Sequence, residues 1–190
     1  NFADKGRQNT IDMLLGRLMG QVPVHLYDPI NDFVIAELTR RAPEFSDTEV
    51  INMLVGTFNL NGKTTGIDQD LSPWLCPDVD ASQQCPEIVA VGFQEIVELS
   101  PQQIMSTEPT RRQDWEFAVK HCLDKNAAKH GKDEYVLLRG GQLVGASLSV
   151  FVRADKLKHI KNVEGSLKKT GMSGMAGNKG AVAIRMEYAN

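Results

Sequence analysis

Two polar side chains that could bind a metal ion follow strand-like apolar runs. Glu95 ends the run IVAVGFQE at 88–95, and Asn59 lies near the end of an earlier run at 51–60. Such a run is typical of a strand buried on both faces, which delivers the next residue to the rim of a sheet. Asn61 is two residues beyond Asn59, so strand periodicity predicts both amides on one face. Oxygen ligands at two strand ends would suit Mg²⁺, which prefers one or two carboxylates plus water.

A third segment, GMSGMAGNKG at 171–180, adds a potential phosphate contact. By itself, Glu95 would more simply be a solvated loop residue, and glycine-rich turns before strands are common. The four glycines in these ten residues nevertheless allow the backbone to approach an anion closely. Lys179 adds a positive charge, so the three segments together indicate a site that binds metal and phosphate.

Four motifs give the chain a family resemblance. The segments GTFNLNG at 56–62, GFQEIVEL at 92–99, 142–153 and GNKGAV at 177–182 resemble the inositol polyphosphate 5-phosphatases in order and spacing. The chain is most similar to the synaptojanin type, in which a Sac-type lipid phosphatase domain precedes the 5-phosphatase domain. Residues 1–46 resemble the linker after the Sac-type domain. Residues 47–190 resemble the N-terminal half of the catalytic domain.

The resemblance implies an α+β fold, the DNase I-like four-layer sandwich of the endonuclease/exonuclease/phosphatase group, of which this chain would hold the N-terminal half. It also implies Mg²⁺ as cofactor, with Asn59 and Glu95 as catalytic and metal-binding residues. Asn178 and Lys179 would contact a phosphate of the substrate. The implied activity of the parent protein is hydrolysis of the 5-phosphate of phosphoinositides such as phosphatidylinositol 4,5-bisphosphate, in membrane traffic.

The same resemblance implies the surroundings in which the protein works. Phosphoinositide lipids of the cytoplasmic membrane leaflet would be its partners, and it would be cytoplasmic and peripheral at membranes, with no nucleic acid partner. Lysines cluster at 156–179 although the net charge is −3. This cluster is either a solvated face or a surface for anionic lipid, each lysine there contributing about 1 kcal/mol.

Several motifs of the family do not occur in this sequence. Its Asp-Leu-Asn motif, its basic 4-phosphate motif and its Asp-His pair are missing, and none of the four histidines matches the pair. We therefore expect this chain alone to be inactive and to require the remainder of its catalytic domain. A start without Met also suggests a fragment. Two other functions remain open: a DNase I-like nuclease, and a catalytically dead interaction module.

Composition and periodicity predict the elements that position these residues. The length and the 42% hydrophobic content are ordinary for a globular chain, and no apolar stretch reaches the roughly 20 residues that span a bilayer. The three cysteines lack zinc or redox spacing, so we expect free thiols in a reducing compartment.

Prolines interrupt residues 21–47, which predicts a connector, and a helix capped by Thr110 is expected up to Gly131. Further strands are expected at 135–138, 143–153 and 181–186.

Overall fold

The computed structural model describes residues 29–46, 49–76, 84–98, 109–171 and 176–188, without the side chains of residues 171 and 176–179. Contacts divide the chain into two units, Asn1–Glu49 and Val50–Asn190. The predicted identities of residues 1–46 and 47–190 remain predictions. Among the described helices, none is both long and apolar enough to cross a membrane.

The first unit contains helix α1, Pro29–Phe45. Pro29 occupies the start of the helix, where its fixed φ is favourable and its missing N–H is not needed. Pro43 lies in the last turn. The predicted interruption was wrong at Pro29 and Pro43, because neither falls in the helix centre. Pro23 lies outside the described residues, and the connector role of residues 21–47 remains a prediction. Ion pairs from Arg40 to Glu37 and from Arg41 to Glu44 lie on its exposed surface.

The second unit is built on a four-stranded sheet with the order β1-β2-β4-β3. Its only parallel pair among the described strands is β1 with β2; β2 with β4 and β4 with β3 are antiparallel. The elements are β1 Met53–Asn59, α2 Ser72–Leu75, β2 Ile88–Gln94, α3 Thr110–Lys129, β3 Tyr135–Leu143, β4 Ala146–Arg153, a 3₁₀ helix Ala154–His159, β5 Ile160–Gly171 and β6 Ala176–Tyr188. Strands β5 and β6 form a separate antiparallel hairpin.

Helix α3 covers one face of the four-stranded sheet. Its apolar side chains Trp115, Val119 and Leu123 are buried with residues of β2 and β4, among them Val91 and Phe151. The apolar spacing that predicted the helix is thus the spacing that fills this core. The helix begins one residue earlier than the predicted cap requires, because Pro109 rather than Thr110 is its N-cap.

The β5–β6 hairpin packs against the other face. Ile88, Val150 and Val152 are buried there against partly buried side chains of the hairpin, including Ile184 and Met186. The unit therefore has a helical layer, the main sheet and the hairpin layer, and β2 is covered on both sides as its apolar run predicted. The sequence did not predict β5.

A buried polar cluster fixes α3 to the sheet. The carboxylate of Glu116, whose side chain is 9% exposed, accepts hydrogen bonds from Arg112 Nη1 and Ser149 Oγ, both at 2.6 Å. A Cβ at Gly140 on β3 would overlap both Glu116 and Arg112. Glycine at this position therefore lets a paired charge lie directly on the sheet, where its desolvation is offset by two hydrogen bonds.

Candidate functional site

The carboxyl ends of β1 and β2 bring the two predicted site residues together. The strands are parallel and in register, so Asn59 lies beside Gln94, the last residue of β2. Glu95 follows directly, and its Oε1 accepts a hydrogen bond of 3.0 Å from Asn59 Nδ2. The pairing of parallel strands thus makes neighbours of two side chains that are 36 residues apart in sequence.

The turn after β1 holds the Asn59 amide in position. Asn59 Oδ1 accepts a hydrogen bond of 2.9 Å from the backbone N–H of Asn61. Asn61 has a φ of +49° and Gly62 a φ of +69°. The predicted strand face shared by Asn59 and Asn61 is therefore wrong, because the strand ends at Asn59 and the chain turns through the left-handed region. Asn61 supports the site through its backbone.

Three backbone hydrogen bonds hold the segment around Glu95. Glu95 O accepts from Gly62 N at 2.7 Å, Gln94 O accepts from Leu60 N at 2.8 Å, and Ile96 N donates to Gly145 O at 3.0 Å. Glu95 itself has a φ of +49°, a left-handed conformation that costs a non-glycine residue about 1–2 kcal/mol. Such conformations persist where surrounding structure imposes them, and they are concentrated at functional sites.

A second pair of polar side chains, Thr57 and Gln94, lies on the same two strands, just before Asn59 and Glu95 in sequence. Gln94 Nε2 donates to Thr57 Oγ1 at 2.9 Å, and Thr57 Oγ1 lies 3.2 Å from Gln94 Oε1. Thr57 and Asn59 share a face of β1 because they are two residues apart in a strand. Thr57 could not be selected from the sequence, since its partner Gln94 is 37 residues away along the chain.

Aromatic side chains support the strand ends from the opposite face. The Trp74 ring lies 5.6 Å from Phe58 and 5.9 Å from Phe93, measured between ring centroids. The Phe93 ring in turn lies 5.1 Å from that of Trp115. A Cβ at Gly56 would come within 2.8 Å of Trp74 Cζ2, so glycine there permits the close packing of Trp74 against β1. Trp74 is a structural support that sequence periodicity did not identify.

The predicted phosphate contacts Asn178 and Lys179 lie on β6. Their side chains are outside the described part of the structure, so their roles remain predictions. The neighbouring Gly180 packs closely: a Cβ there would overlap Leu143 and the backbone carbonyl of Lys168. Leu143 immediately precedes the two-residue turn whose Gly145 carbonyl binds Ile96. Backbone packing therefore links β6 to the segment that carries Glu95.

The oxygen atoms at this edge fit a hard cation. Glu95 is half-buried and supplies a carboxylate. The Asn59 amide is hydrogen-bonded to it through nitrogen, while the Asn59 amide oxygen accepts from Asn61 N. Among the described residues, no group of three His, Cys, Asp or Glu side chains could hold a metal. A cation bound by Glu95 would therefore retain water or take further ligands, which is the usual coordination of Mg²⁺. In the hydrogen bonding observed, the Asn59 amide orients the carboxylate.

Comparison with known proteins identifies the family. The protein-family model Endonuclease/Exonuclease/phosphatase family 2 matches residues 56–190. The chain belongs to this family. A crystal structure of the inositol polyphosphate 5-phosphatase domain of SpSynaptojanin, in complex with inositol (1,4)-bisphosphate and calcium ion, is similar with a TM-score of 0.69 and 43% identity. The match covers 85% of this chain and 44% of that chain. The predicted DNase I-like α+β fold is confirmed.

Curated relatives of this family member support the predicted resemblance. Inositol-1,4,5-trisphosphate 5-phosphatase 1 of Schizosaccharomyces pombe is 50% identical over 99% of this chain and 17% of its own length. Polyphosphatidylinositol phosphatase INP53 of Saccharomyces cerevisiae is 46% identical over 99% of this chain and 16% of its own length. Human Synaptojanin-2 is 31% identical, with 99% and 14% covered. The resemblance to synaptojanin-type inositol polyphosphate 5-phosphatases is confirmed, and the chain spans less than a fifth of these relatives.

Proposed function

We propose that the protein is a Mg²⁺-dependent phosphatase that removes the 5-phosphate of phosphoinositides such as phosphatidylinositol 4,5-bisphosphate. The observation that carries this proposal is the Asn59–Glu95 hydrogen bond at the end of two parallel strands. It supplies an oriented carboxylate for a hard cation in a chain whose relatives are named as inositol phosphate and phosphoinositide phosphatases. This chain would contribute one part of the site, and the remainder of the catalytic domain would complete it.

The residues of this chain would act by binding and orientation. Glu95 would hold Mg²⁺, and the Asn59 amide would fix the carboxylate in the direction of the metal. When bound, Mg²⁺ would supply positive charge that offsets the charge developing on the phosphoryl oxygens. Asn178 and Lys179 would bind another phosphate of the substrate and thereby position the inositol ring.

The test is phosphate release from vesicles containing phosphatidylinositol 4,5-bisphosphate, measured with the full-length protein with and without Mg²⁺. Glu95→Gln should lower the rate by about 100-fold or more, because an oriented electrostatic contact in the transition state is lost. Glu134→Gln is the matched control, since Glu134 is an exposed carboxylate at the start of β3 and belongs to a surface ion pair. Equal rates for both variants would refute the role of Glu95.

The same preparation distinguishes the two other functions. Mg²⁺-dependent cleavage of plasmid DNA without phosphate release from vesicles would establish a nuclease. A folded protein that binds vesicles but releases no phosphate and leaves DNA intact would be an interaction module. The fold by itself does not decide between them, since one architecture supports several chemistries.

We further propose that the protein acts at the cytoplasmic face of membranes and contacts them peripherally. Lys168 and Lys169 are exposed on β5 at the hairpin that carries Asn178 and Lys179. Their charge supports attraction to anionic headgroups, worth about 1 kcal/mol for each lysine at low salt. Replacing both with Glu should weaken sedimentation with anionic vesicles more than replacing Lys125 and Lys129, the exposed lysines of α3, with Glu. Equal binding by the two double variants would exclude this membrane contact.

A further inference from the structure

Two cysteines from different helices lie side by side in the second unit. Cys76 is the C-cap residue of α2, and Cys122 lies in the middle of α3. Their Sγ atoms are 3.9 Å apart, within hydrogen-bonding distance for thiols, although the residues are 46 positions apart in sequence. Both are free thiols and both are half-buried. The structure thus places together two thiols whose sequence spacing indicated no pairing.

Cys122 lies at the border of a cleft. It lines a cleft of about 520 Å³ between the segment before α2 and the exposed side of α3. Lys125 and Lys129 line the same cleft. Cys85 differs from both members of the pair: it is buried, at 4% exposed, and its Sγ lies 3.6 Å from Asn126 Nδ2. A small oxidant would therefore reach Cys122 more readily than Cys85.

The interaction between the two thiols also favours ionisation of one of them. The hydrogen bond with Cys76 lowers the pKa of the Cys122 thiol, and Lys125 acts in the same direction, while burial and Asp70 oppose them. The same hydrogen bond, together with burial, raises the pKa of Cys76. Cys122 lines the cleft and Cys76 is not among the residues that line it. Since the thiolate is the reactive form of cysteine, this access and the direction of the pKa shift both indicate Cys122 as the nucleophile of the pair.

We propose that Cys76 and Cys122 form a redox-sensitive pair that a hydroperoxide converts reversibly into a disulfide joining α2 to α3. The Cys122 thiolate attacks a peroxide oxygen, the O–O bond breaks, and hydroxide leaves to form a sulfenic acid on Cys122. Cys76 Sγ then attacks that sulfur, the S–O bond breaks, and the oxygen departs as water with the thiol proton. With hydrogen peroxide, the two thiols lose two electrons and the peroxide is reduced to two molecules of water.

The geometry requires only a local adjustment. A disulfide has an S–S length of about 2.05 Å, so the sulfur atoms must approach by roughly 2 Å. The short helix α2 spans only Ser72–Leu75 and Cys76 is its C-cap, whereas α3 is a 20-residue helix packed against the sheet. Movement of α2 towards α3, combined with side-chain rotation, would close this gap. The pair lies outside the proposed phosphatase site, so its oxidation does not depend on the proposed function.

The test is thiol mapping of the full-length protein after exposure to hydrogen peroxide. Remaining thiols are alkylated, the protein is digested without reductant, and peptides are identified by mass spectrometry. We expect a linked peptide pair containing Cys76 and Cys122 that separates on treatment with dithiothreitol. Cys85→Ser is the matched control and should still form the link, whereas Cys76→Ser should instead accumulate a sulfenic acid on Cys122 that dimedone traps.

The unsubstituted protein decides the outcome even if a serine variant fails to fold. Alkylation of both Cys76 and Cys122 after peroxide treatment would overturn the proposal. A link from either residue to Cys85, or irreversible oxidation of Cys122 to a sulfinic acid in place of a link, would also overturn it. Circular dichroism before and after treatment establishes that the mapped protein is folded, so a link formed by unfolded chains would be recognised and would count against the proposal.

Discussion

Replacing Asn59 with aspartate tests the proposed metal site directly. In the structure the Asn59 amide nitrogen donates to Glu95 Oε1 over 3.0 Å. Asn59→Asp removes this donor and places a second carboxylate in its position. Two like charges at that separation repel by about 1.4 kcal/mol in bulk water and by about 5.5 kcal/mol at an effective dielectric constant of about 20. Because Asn59 is exposed and both side chains can rotate apart, we expect a loss of about 1–2 kcal/mol.

The loss should depend on Mg²⁺ and on pH in a defined direction. Both carboxylates must be ionised to repel, so the destabilisation should be present at neutral pH and should fade once acidification protonates either of them. A bound Mg²⁺ would attract both carboxylates, and the free energy of unfolding of the variant should then rise with Mg²⁺ concentration by more than that of the unsubstituted protein. Urea denaturation across pH, at low and high Mg²⁺, measures both effects.

Asn59→Ala is the control, because it removes the same hydrogen bond without adding charge. We expect it to cost about 1 kcal/mol, with no added dependence on pH or Mg²⁺. If Asn59→Asp and Asn59→Ala respond to Mg²⁺ identically, Mg²⁺ does not bind at this edge. If they respond identically to pH, the inferred proximity of the two side chains is wrong.

Three further changes test the packing and the ion pairs of the second unit. Gly56→Ala would push a methyl group into the Trp74 ring and should cost about 1–3 kcal/mol, with an altered near-ultraviolet circular dichroism spectrum. Glu116→Ala should cost about 2–4 kcal/mol in urea denaturation, because it leaves a partly buried guanidinium without its partner. The Arg153 guanidinium lowers the pKa of Asp155, so that ion pair stabilises the fold above about pH 4 and is lost as pH falls further. Asp155→Asn should therefore lose less stability on acidification than the unsubstituted protein.

Burial explains which strands could be predicted from sequence. The apolar run at 88–95 predicted β2, because β2 lies inside the sheet and burial requires apolar residues throughout. The run at 51–60 also predicted β1, but burial does not explain it, since β1 is at the edge of the sheet and its Met53, Val55 and Phe58 are exposed. Strand β5 was missed, since most of its side chains are exposed and its sequence IKNVEGSLKKTG shows no alternation. Its strand conformation comes from pairing with β6, which is a tertiary contact that local sequence does not encode.

The candidate site was only partly predictable for a related reason. Glu95 and Asn59 were identified because both follow apolar runs, but the position of Asn61 was not, since strand periodicity says nothing about where a strand ends. The role of Trp74 depends on Gly56 and Phe93, and these contacts are known only once the strands are paired. The prolines in α1 predicted an interruption where the structure has a helix, because a helix tolerates proline at its start.

The three backbone hydrogen bonds around Glu95 come from three separate stretches of chain, the turn after β1, the end of β2 and the β3–β4 turn. Their amide protons, on Leu60, Gly62 and Ile96, therefore give a spectroscopic record of whether the site is assembled. Protection from hydrogen exchange at all three requires each stretch to be in position at once. A perturbation that separates any stretch would expose its own proton first, so exchange rates would identify which part of the site opens, even in a protein with no bound metal or substrate.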